Sequence, residues 1–337
     1  MKDFFNAFKT SGLFIGTVIG AGFSTGEEIR AYFKGTSDLT VVLSAFLFAV
    51  FCAIFLFASK HKKIKLPKCF NAIWKVAKFI AVGISLIAMC SAGESVVYKV
   101  FGIKSFGVWL FFICVLLGDK GNRVLAMINA VAVPIIVVFV ICVYLKAETC
   151  GLDIGKINFI PAFLYSAMNI FSGGIMLDRV GKNMSKKEIY LSTTISFFIM
   201  CALILCIKKS VENCAMSMPI LAIALDNKMV IVGVTVVVLA IFTTMLSDVS
   251  IMLEDLSHLS QKKWIRLLIL CPFCLIGIVS DFSGIVNSLY YYIGYCGVAY
   301  VIYATVRLFF ADFSFKNRNA RIHYACKSAK YNSTCHH

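Results

Sequence analysis

The sequence predicts an all-α membrane protein with about ten transmembrane helices. The chain has 337 residues, of which 60% are apolar and only 15% are charged, and its mean hydropathy is +0.87. Water-soluble domains carry about 25% charged residues, so this balance indicates that lipid surrounds most of the chain. A helix needs about 20 apolar residues to cross the hydrocarbon core, which leaves room for roughly ten crossings with short loops.

Ten apolar windows give the predicted order of the helices. They cover residues 11–34, 38–59, 72–97, 105–118, 124–145, 158–178, 189–207, 229–252, 264–280 and 283–311. The fourth window is short for a span and fits a tilted or partly interfacial helix. The predicted organisation is therefore a cytoplasmic N-terminal segment (1–10), a first five-helix repeat (11–146), an outer linker (147–157), a second five-helix repeat (158–311) and a basic cytoplasmic tail (312–337).

The basic residues predict the orientation of the chain and not a nucleic-acid site. The formal net charge is +16, but the lysines and arginines lie between apolar windows and form no folded basic face. Cytoplasmic loops collect Lys and Arg, and most of the 33 basic residues fall on the inside if the N-terminus is inside. Both termini are therefore predicted to be cytoplasmic, and the polar tail at 312–337 is predicted to lack regular structure.

Glycines predict a break in the first helix. They stand at Gly16, Gly20, Gly22 and Gly26. Because glycine lowers helix propensity, we expect the backbone to unwind near residues 20–22. Ser24 and Glu27 have capping-box spacing, which predicts a helix restart inside the membrane. Unpaired backbone is tolerated there only if it is buried in protein or lines a wet cavity, where the new N-terminus could face a carboxylate. The alternative is a small-residue surface for close helix packing.

A second polar, glycine-containing interruption lies in the sixth window, at residues 165–174, where the second group of five windows begins. Interruptions at matching positions of two halves indicate the binding site of a transporter built from inverted repeats. The pattern therefore predicts a five-plus-five inverted repeat with broken helices 1 and 6. The alternative is a chance Gly-Gly pair used for packing. The predicted substrate-binding residues are Gly20, Ala21, Gly22, Phe23, Ser24, Tyr165, Asn169, Ser172 and Gly173.

Two adjacent threonines of the eighth window lie at the depth of the first break. At 1.5 Å per residue, Thr243 and Ile19 each lie about 5 Å from the midpoint of their spans. The hydroxyls of Thr243 and Thr244, with freed carbonyls of Gly16 and Ile19, would form an all-oxygen cage suited to sodium. The alternative is that the threonines bond back to their own helix.

Ionisable residues inside predicted spans are candidates for gating or proton coupling. Glu27 and Glu28 lie about two turns beyond the break, and Arg30 is spaced to pair with Glu27 on one helix face, so together they are predicted to form part of an outer gate. Glu94 is predicted to face the same vestibule. The alternative for the carboxylates is that they simply reach the outer interface. Asp248 and Asp255 are weaker candidates, predicted to pair with Lys9 as an inner latch.

The segment Gly-Ala-Gly-Phe-Ser-Thr-Gly-Glu-Glu-Ile at 20–29 resembles the signature of the YkvI-type bacterial membrane proteins, usually GAGFASGQEI. That family is placed in the amino acid–polyamine–organocation superfamily with the LeuT-type five-plus-five inverted repeat. The resemblance implies a multi-pass protein of the bacterial plasma membrane. It also implies a sodium site at Gly16, Ile19, Ala240, Thr243 and Thr244. Ser24 and Glu27 replace the usual Ala and Gln, and the extra carboxylate leaves proton coupling open.

The sequence contains no phosphate loop, no HExxH and no GxSxG, so we expect no enzyme and no cofactor apart from a bound sodium ion. The predicted function is cation-coupled symport, with sodium or protons, of an amino acid or similar small organic solute by alternating access. The alternative is a non-transporting ligand sensor or receptor subunit with the same fold. The expected partners are the solute and the lipid bilayer.

Overall fold

The computed structural model describes residues 2–61, 68–118, 122–147, 151, 153–212, 214, 216 and 218–333, and within these ranges all regular structure is helical. The helices are α1 (Lys2–Val18), α2 (Ala21–Thr25), α3 (Glu27–Phe33), α4 (Asp38–Ser59), α5 (Lys68–Phe101), α6 (Phe106–Gly118), α7 (Asn122–Lys146), α8 (Phe159–Val180), α9 (Lys186–Val211), α10 (Pro219–Asp226), α11 (Val230–Ser257), α12 (Lys263–Val279) and α13 (Phe282–Ser333). A 3₁₀ turn, Gly181–Asn183, follows α8.

The prediction of an all-α, multi-pass membrane protein is confirmed. Every apolar window of the sequence contains a helix, and the first window contains three short ones. Six of the described helices are long and apolar enough to cross a membrane, and α8 makes seven if it is counted as one bent span. The 13 residues of α6 form a shorter apolar helix, as expected for the fourth window. No apolar window predicted α10, an eight-residue helix that starts with Pro219.

The expectation of an unstructured tail is wrong, because α13 continues through the basic segment to Ser333. No proline or glycine follows Gly297 in this helix. Alanine, lysine and arginine, which are frequent beyond residue 310, have high helix propensity. The helix therefore meets no breaker on leaving the apolar window.

The three pieces of the first span lie between two groups of packed helices. In one group α5 packs against α6, α11 and α12, and in the other α8 packs against α4 and α13. Helix α1 contacts α7, α8, α9 and α11, α2 contacts α5, α10 and α11, and α3 contacts α8, α9 and α13. A change in the first span therefore reaches both groups directly.

Asp38, Lys208 and Lys209 form a buried ion cluster at the end of the bundle where α10 lies. We call this end of the bundle the α10 end. The Lys208 ammonium lies 2.7 Å from Asp38 Oδ1, and the Lys209 ammonium lies 3.0 Å from Asp38 Oδ2. These three side chains are only 3–7% exposed. The Asp153 amide donates to Asp38 at 2.9 Å, and Lys209 donates to the Gly151 carbonyl at 2.6 Å. Asp38 thus joins the start of α4 to the end of α9 and to the segment before α8.

At the opposite end, ion pairs join the long helices to one another. Arg307 of α13 lies 2.7 Å from Asp178 of α8, and Lys78 of α5 lies 2.7 Å from Asp255 of α11. The predicted latch between Lys9 and the two aspartates is therefore wrong. Lys9 stands over the ring of Phe5 instead, at 4.4 Å from the ring centroid.

Candidate functional site

The first span breaks between α1 and α2. The Gly20 amide donates to the Val18 carbonyl at 2.8 Å, and the Ala21 amide donates to Met89 Sδ at 3.5 Å. In a continuous helix these two amides would have bonded the carbonyls of Gly16 and Thr17. Gly20 itself is extended, with φ −95° and ψ −163°. The break thus frees two carbonyls at the end of α1, as the glycine pattern predicted.

A second joint, which the sequence did not predict, separates α2 from α3. Gly26 has a φ of +79° and serves both as the C-terminal cap of α2 and as the residue before α3. The expected capping box is not formed, because Ser24 lies inside α2 and its hydroxyl donates to the Ala21 carbonyl at 3.4 Å. Glycine at residue 26 allows the left-handed turn, which displaces the helix start by two residues from Ser24.

Helix α8 runs from Phe159 to Val180 and is bent by 50° between the segments Phe159–Phe171 and Gly173–Asn183. The predicted interruption of the sixth window is therefore present as a sharp bend. Gly173 packs so closely on α1 that an added β-carbon would collide with the ring of Phe14. Glycine beside serine is a common place for a helix to bend, which explains the geometry. The Ser172 side chain lies outside the described residues.

A small cavity of about 40 Å³ lies where the break in the first span meets α5, α8, α11 and α13. All of its lining residues are buried. Its polar lining comes from Thr17, Gly20, Glu28, Ser85, Asn169 and Thr244, with the hydroxyl-bearing Tyr290 beside them. A buried water needs roughly 10–15 Å³, so the cavity has room for a few waters in this conformation. Met89 and Met168 also line it, and their flexible side chains allow it to change shape.

Of the predicted substrate-binding residues, Gly20 and Asn169 line this cavity. The Asn169 amide donates to Glu28 Oε1 at 3.3 Å and to the Tyr165 carbonyl at 2.9 Å. The Tyr165 side chain is fully buried beside Glu28, and its hydroxyl makes no hydrogen bond of good geometry in the described part of the chain. The structure thus brings the two predicted segments together around the Glu28 carboxyl.

The other predicted substrate-binding residues of the first break do not line the cavity. Ala21, Phe23 and Ser24 are buried in α2 and are not among the lining residues. Gly22 faces the Glu28 carboxyl, and an added β-carbon there would lie 2.6 Å from Oε2. Any side chain at residue 22 would therefore displace the carboxyl that the cavity exposes.

The residues predicted to bind sodium meet only in part. The Thr244 hydroxyl donates across to the Ile19 carbonyl at 3.3 Å, whereas the Thr243 hydroxyl bonds back to the Ala240 carbonyl at 3.0 Å. Gly16 packs against α7. Ile19 and Thr244 therefore offer adjacent oxygens at the edge of the cavity. Thr243 thus follows the alternative prediction, in which a threonine hydroxyl bonds to the backbone of its own helix.

Glu27 and Arg30 form a link at the α10 end. Their side chains pair at 2.7 Å, and Glu27 is only 1% exposed, so this carboxylate does not reach an interface. The Arg30 guanidinium also donates to the Met216 carbonyl at 2.7 Å, and the Met218 amide donates to Glu27 at 3.2 Å. The pair therefore fastens α3 to the segment that precedes α10.

Replacing Arg30 with alanine is expected to loosen this segment. The substitution removes the guanidinium bonds to Met216 and Glu27, and charge-assisted hydrogen bonds contribute about 1.5–3 kcal/mol each. We expect amide hydrogen exchange around residues 214–218 to accelerate about tenfold or more, measured by mass spectrometry on the purified protein. Lys34→Ala removes a similar charge from the exposed residue next to α3 and should leave the exchange unchanged. Equal exchange in both variants would contradict the fastening role.

Glu94 has a different role from the one that was expected. Its carboxylate accepts hydrogen bonds from the amides of Ser105 (2.7 Å) and Gly107 (3.1 Å), at the start of α6. Carboxylates at a helix N-terminus satisfy free amides and interact with the helix dipole. Both oxygens of Glu94 are thus occupied in holding the turn between α5 and α6.

Three polar residues near the cavity were missed or assigned otherwise from the sequence. Glu28 was grouped with Glu27, although it faces the cavity and Glu27 faces Arg30. The Ser85 hydroxyl lines the cavity and donates to Asp248 at 2.6 Å. An ionisable residue inside an apolar window was the only signal in the sequence, and it did not reveal which neighbour each would contact.

No model of a known protein family matches this chain, and a search among curated proteins finds no similar sequence. The resemblance of residues 20–29 to the YkvI-type signature therefore stays a prediction. The break, the cavity and the buried carboxyls are therefore the features that bear on function.

Proposed function

We propose that this protein is a secondary active transporter that couples the movement of sodium or protons to that of an amino acid or similar small organic solute. The observation that carries the proposal is a helix whose regular hydrogen bonding is interrupted at Gly20, beside a buried cavity with a polar lining. Unpaired backbone inside a membrane protein is tolerated where it is buried or lines a water-filled cavity. Discontinuous helices of this kind form the substrate and ion sites of secondary transporters.

The cavity and its surroundings fit a carrier that opens alternately to the two sides. The cavity of about 40 Å³, with its buried lining residues, is too small for a solute as large as an amino acid. A carrier would have to open this space further to admit its solute. The joints at Gly20 and Gly26 allow α2 and α3 to change angle without disturbing the long helices. Contacts of these short helices with both packing groups connect their movement to the rest of the bundle.

We further propose that the protein has ten spans in a LeuT-type five-plus-five inverted repeat and belongs with the YkvI-type proteins of the bacterial plasma membrane. The support is that the broken α1–α3 unit and the bent α8 begin the two groups of five and share the cavity. The excess of basic residues in alternate loops supports cytoplasmic termini. In this arrangement the α10 end faces outward.

Uptake into liposomes tests the transport proposal. The purified protein is reconstituted with an inward sodium gradient, an inward proton gradient or no gradient, and a mixture of labelled amino acids is added. We expect accumulation above equilibrium with at least one gradient. Binding of an amino acid without accumulation under any gradient would overturn transport and favour the ligand sensor.

The proposed sodium site makes a separate prediction. Replacing Thr243 and Thr244 together with alanine removes the hydroxyl that bonds the Ile19 carbonyl and the one that bonds the Ala240 carbonyl, and is expected to weaken sodium activation by at least about tenfold, a loss of roughly 1.4 kcal/mol. The measurement is uptake as a function of sodium concentration. Thr235→Ala is the matched control, because this exposed threonine lies on the same helix and bonds only its own backbone, at Ile231. Equal sodium dependence in both variants would remove the site.

A further inference from the structure

Two buried carboxyl groups flank the cavity and take no part in the proposed sodium site or in the link at the α10 end. Glu28 on α3 lines the cavity and is 4% exposed. Asp248 on α11 is fully buried, and its partner Ser85 lines the same cavity. The two groups thus approach one space from different helices.

The surroundings of Glu28 are hydrogen-bonding but uncharged. Asn169 of α8 donates to its Oε1, and the hydroxyl of Tyr165 lies beside it. Tyr32 on its own helix and Tyr290 on α13 are the other titratable groups that face it. The carboxyl is therefore enclosed by one amide and by phenolic hydroxyls.

The surroundings of Asp248 are also uncharged. The Ser85 hydroxyl of α5 donates to Oδ2, and Oδ1 has no hydrogen-bond partner among the described residues. The titratable groups that face it are Cys90 of α5, Cys114 of α6 and Tyr290 of α13. Tyr290 is thus close enough to both carboxyl groups to interact with each of them electrostatically.

No lysine, arginine or histidine of the described residues forms an ion pair with Glu28 or Asp248, whereas the buried carboxylates Glu27 and Asp38 each have a basic partner. A buried charge without a counter-charge is costly, so an ionised carboxylate here requires a cation from solution. A hard cation prefers several carboxylate, carbonyl or water oxygens, whereas the group bonded to each carboxyl is a single donor, the Asn169 amide at Glu28 and the Ser85 hydroxyl at Asp248. A proton needs only one oxygen, and it fits each carboxyl separately.

We propose that Glu28 and Asp248 bind and release the protons that drive transport through this cavity. A proton leaves a hydronium ion in water that reaches the cavity from one side and forms an O–H bond with a carboxylate oxygen. The same O–H bond breaks when the cavity opens to the other side, and the proton returns to water there. This inference rests on the proposed function for its role in transport, but proton binding itself is independent of any solute.

The placement of the two groups makes them sensitive to the movement that alternating access requires. Glu28 moves with α3, beyond the joint at Gly26, whereas Asp248 and Ser85 belong to the packed pair α5 and α11. A change in the angle of α3 therefore changes the water access and the neighbours of Glu28 relative to those of Asp248. Protonation of each group is thereby linked to the conformation of the first span.

Infrared difference spectra recorded between acidic and alkaline buffer test proton binding on the full chain in lipid. We expect two bands in the carbonyl-stretching region of protonated carboxyl groups, one lost in Glu28→Gln and the other in Asp248→Asn. Asp226→Asn, a change at an exposed carboxyl, should keep both bands. Ser85→Ala should shift the band of Asp248 without removing it, and Glu28→Asp should retain a shifted band, which separates proton binding from misfolding.

Uptake by the same variants tests the role of these protons. With an inward proton gradient, gradient-driven accumulation is expected to fall about tenfold in Glu28→Gln and about tenfold in Asp248→Asn, which is within the usual range of coupling between sites. Wild-type spectra without both bands, or variants that keep the full response to the proton gradient, would overturn the assignment. If the bands are present and no labelled amino acid accumulates under any gradient, the proposed function fails while proton binding by these carboxyls stands.

Discussion

Replacing Asp38 with alanine is expected to destabilise the protein by about 3–5 kcal/mol, because two buried ammonium groups lose the carboxylate with which they pair. Lys208 and Lys209 both pair with this carboxylate and are 3% and 6% exposed. The substitution also removes the acceptor of the Asp153 amide, which holds the segment before α8. A lower midpoint of thermal unfolding of the purified protein in detergent measures the effect.

Glu212 provides the matched control for Asp38. This carboxylate is 28% exposed and lies 4.0 Å from the ammonium of Lys208 and 3.7 Å from that of Lys209. These contacts are longer than the pairs of 2.7–3.0 Å that Asp38 makes, so Glu212→Ala should have the smaller effect. Adding Lys208→Met to Asp38→Ala should recover part of the loss. A shift in Asp38→Ala no larger than that in Glu212→Ala would show that the cluster does not hold this end together.

The positions of the long helices could be predicted from the sequence because lipid imposes a simple rule. Every backbone amide in the hydrocarbon must bond within its own helix, so apolar runs of sufficient length become helices. The same rule made the glycines of the first window informative, and the break at Gly20 lies where they indicated. The prediction was weaker for α8, where Gly173 permits close packing on α1 and the helix bends without ending.

Side-chain contacts could not be predicted, since they depend on which neighbour each helix face meets. Successive residues of a helix point about 100° apart, so Glu27 and Glu28 face different surroundings although they are adjacent. One bonds Arg30, and the other lines the cavity. The failed capping box has a similar cause, because the left-handed turn at Gly26 sets the start of α3 and leaves Ser24 inside α2. Nothing in the sequence pattern indicated that Ser85 would meet Asp248.

Replacing Gly26 with alanine is expected to cost about 2–5 kcal/mol, from a strained backbone and an overpacked joint together. A left-handed conformation costs a residue with a side chain roughly 1–2 kcal/mol, and Gly26 has a φ of +79°. An added β-carbon would also lie 2.7 Å from Val211 and 3.0 Å from Ile220, and overpacking of a core costs about 1–3 kcal/mol. We expect a lower midpoint of thermal unfolding in detergent and a loss of gradient-driven uptake, since α3 carries Glu28 into the cavity.

Gly35 separates the two contributions, because it has a similar positive φ but no crowding. Its φ is +71°, and an added β-carbon there meets no atom within 4 Å. Gly35→Ala should therefore show the backbone strain alone, with uptake unchanged. The difference between the two variants measures how tightly α9 and α10 hold the joint between α2 and α3. Gly26→Ala could instead be no less stable than Gly35→Ala and transport equally well. In that case α3 does not pivot at Gly26, and movement of the first span must arise at Gly20 alone.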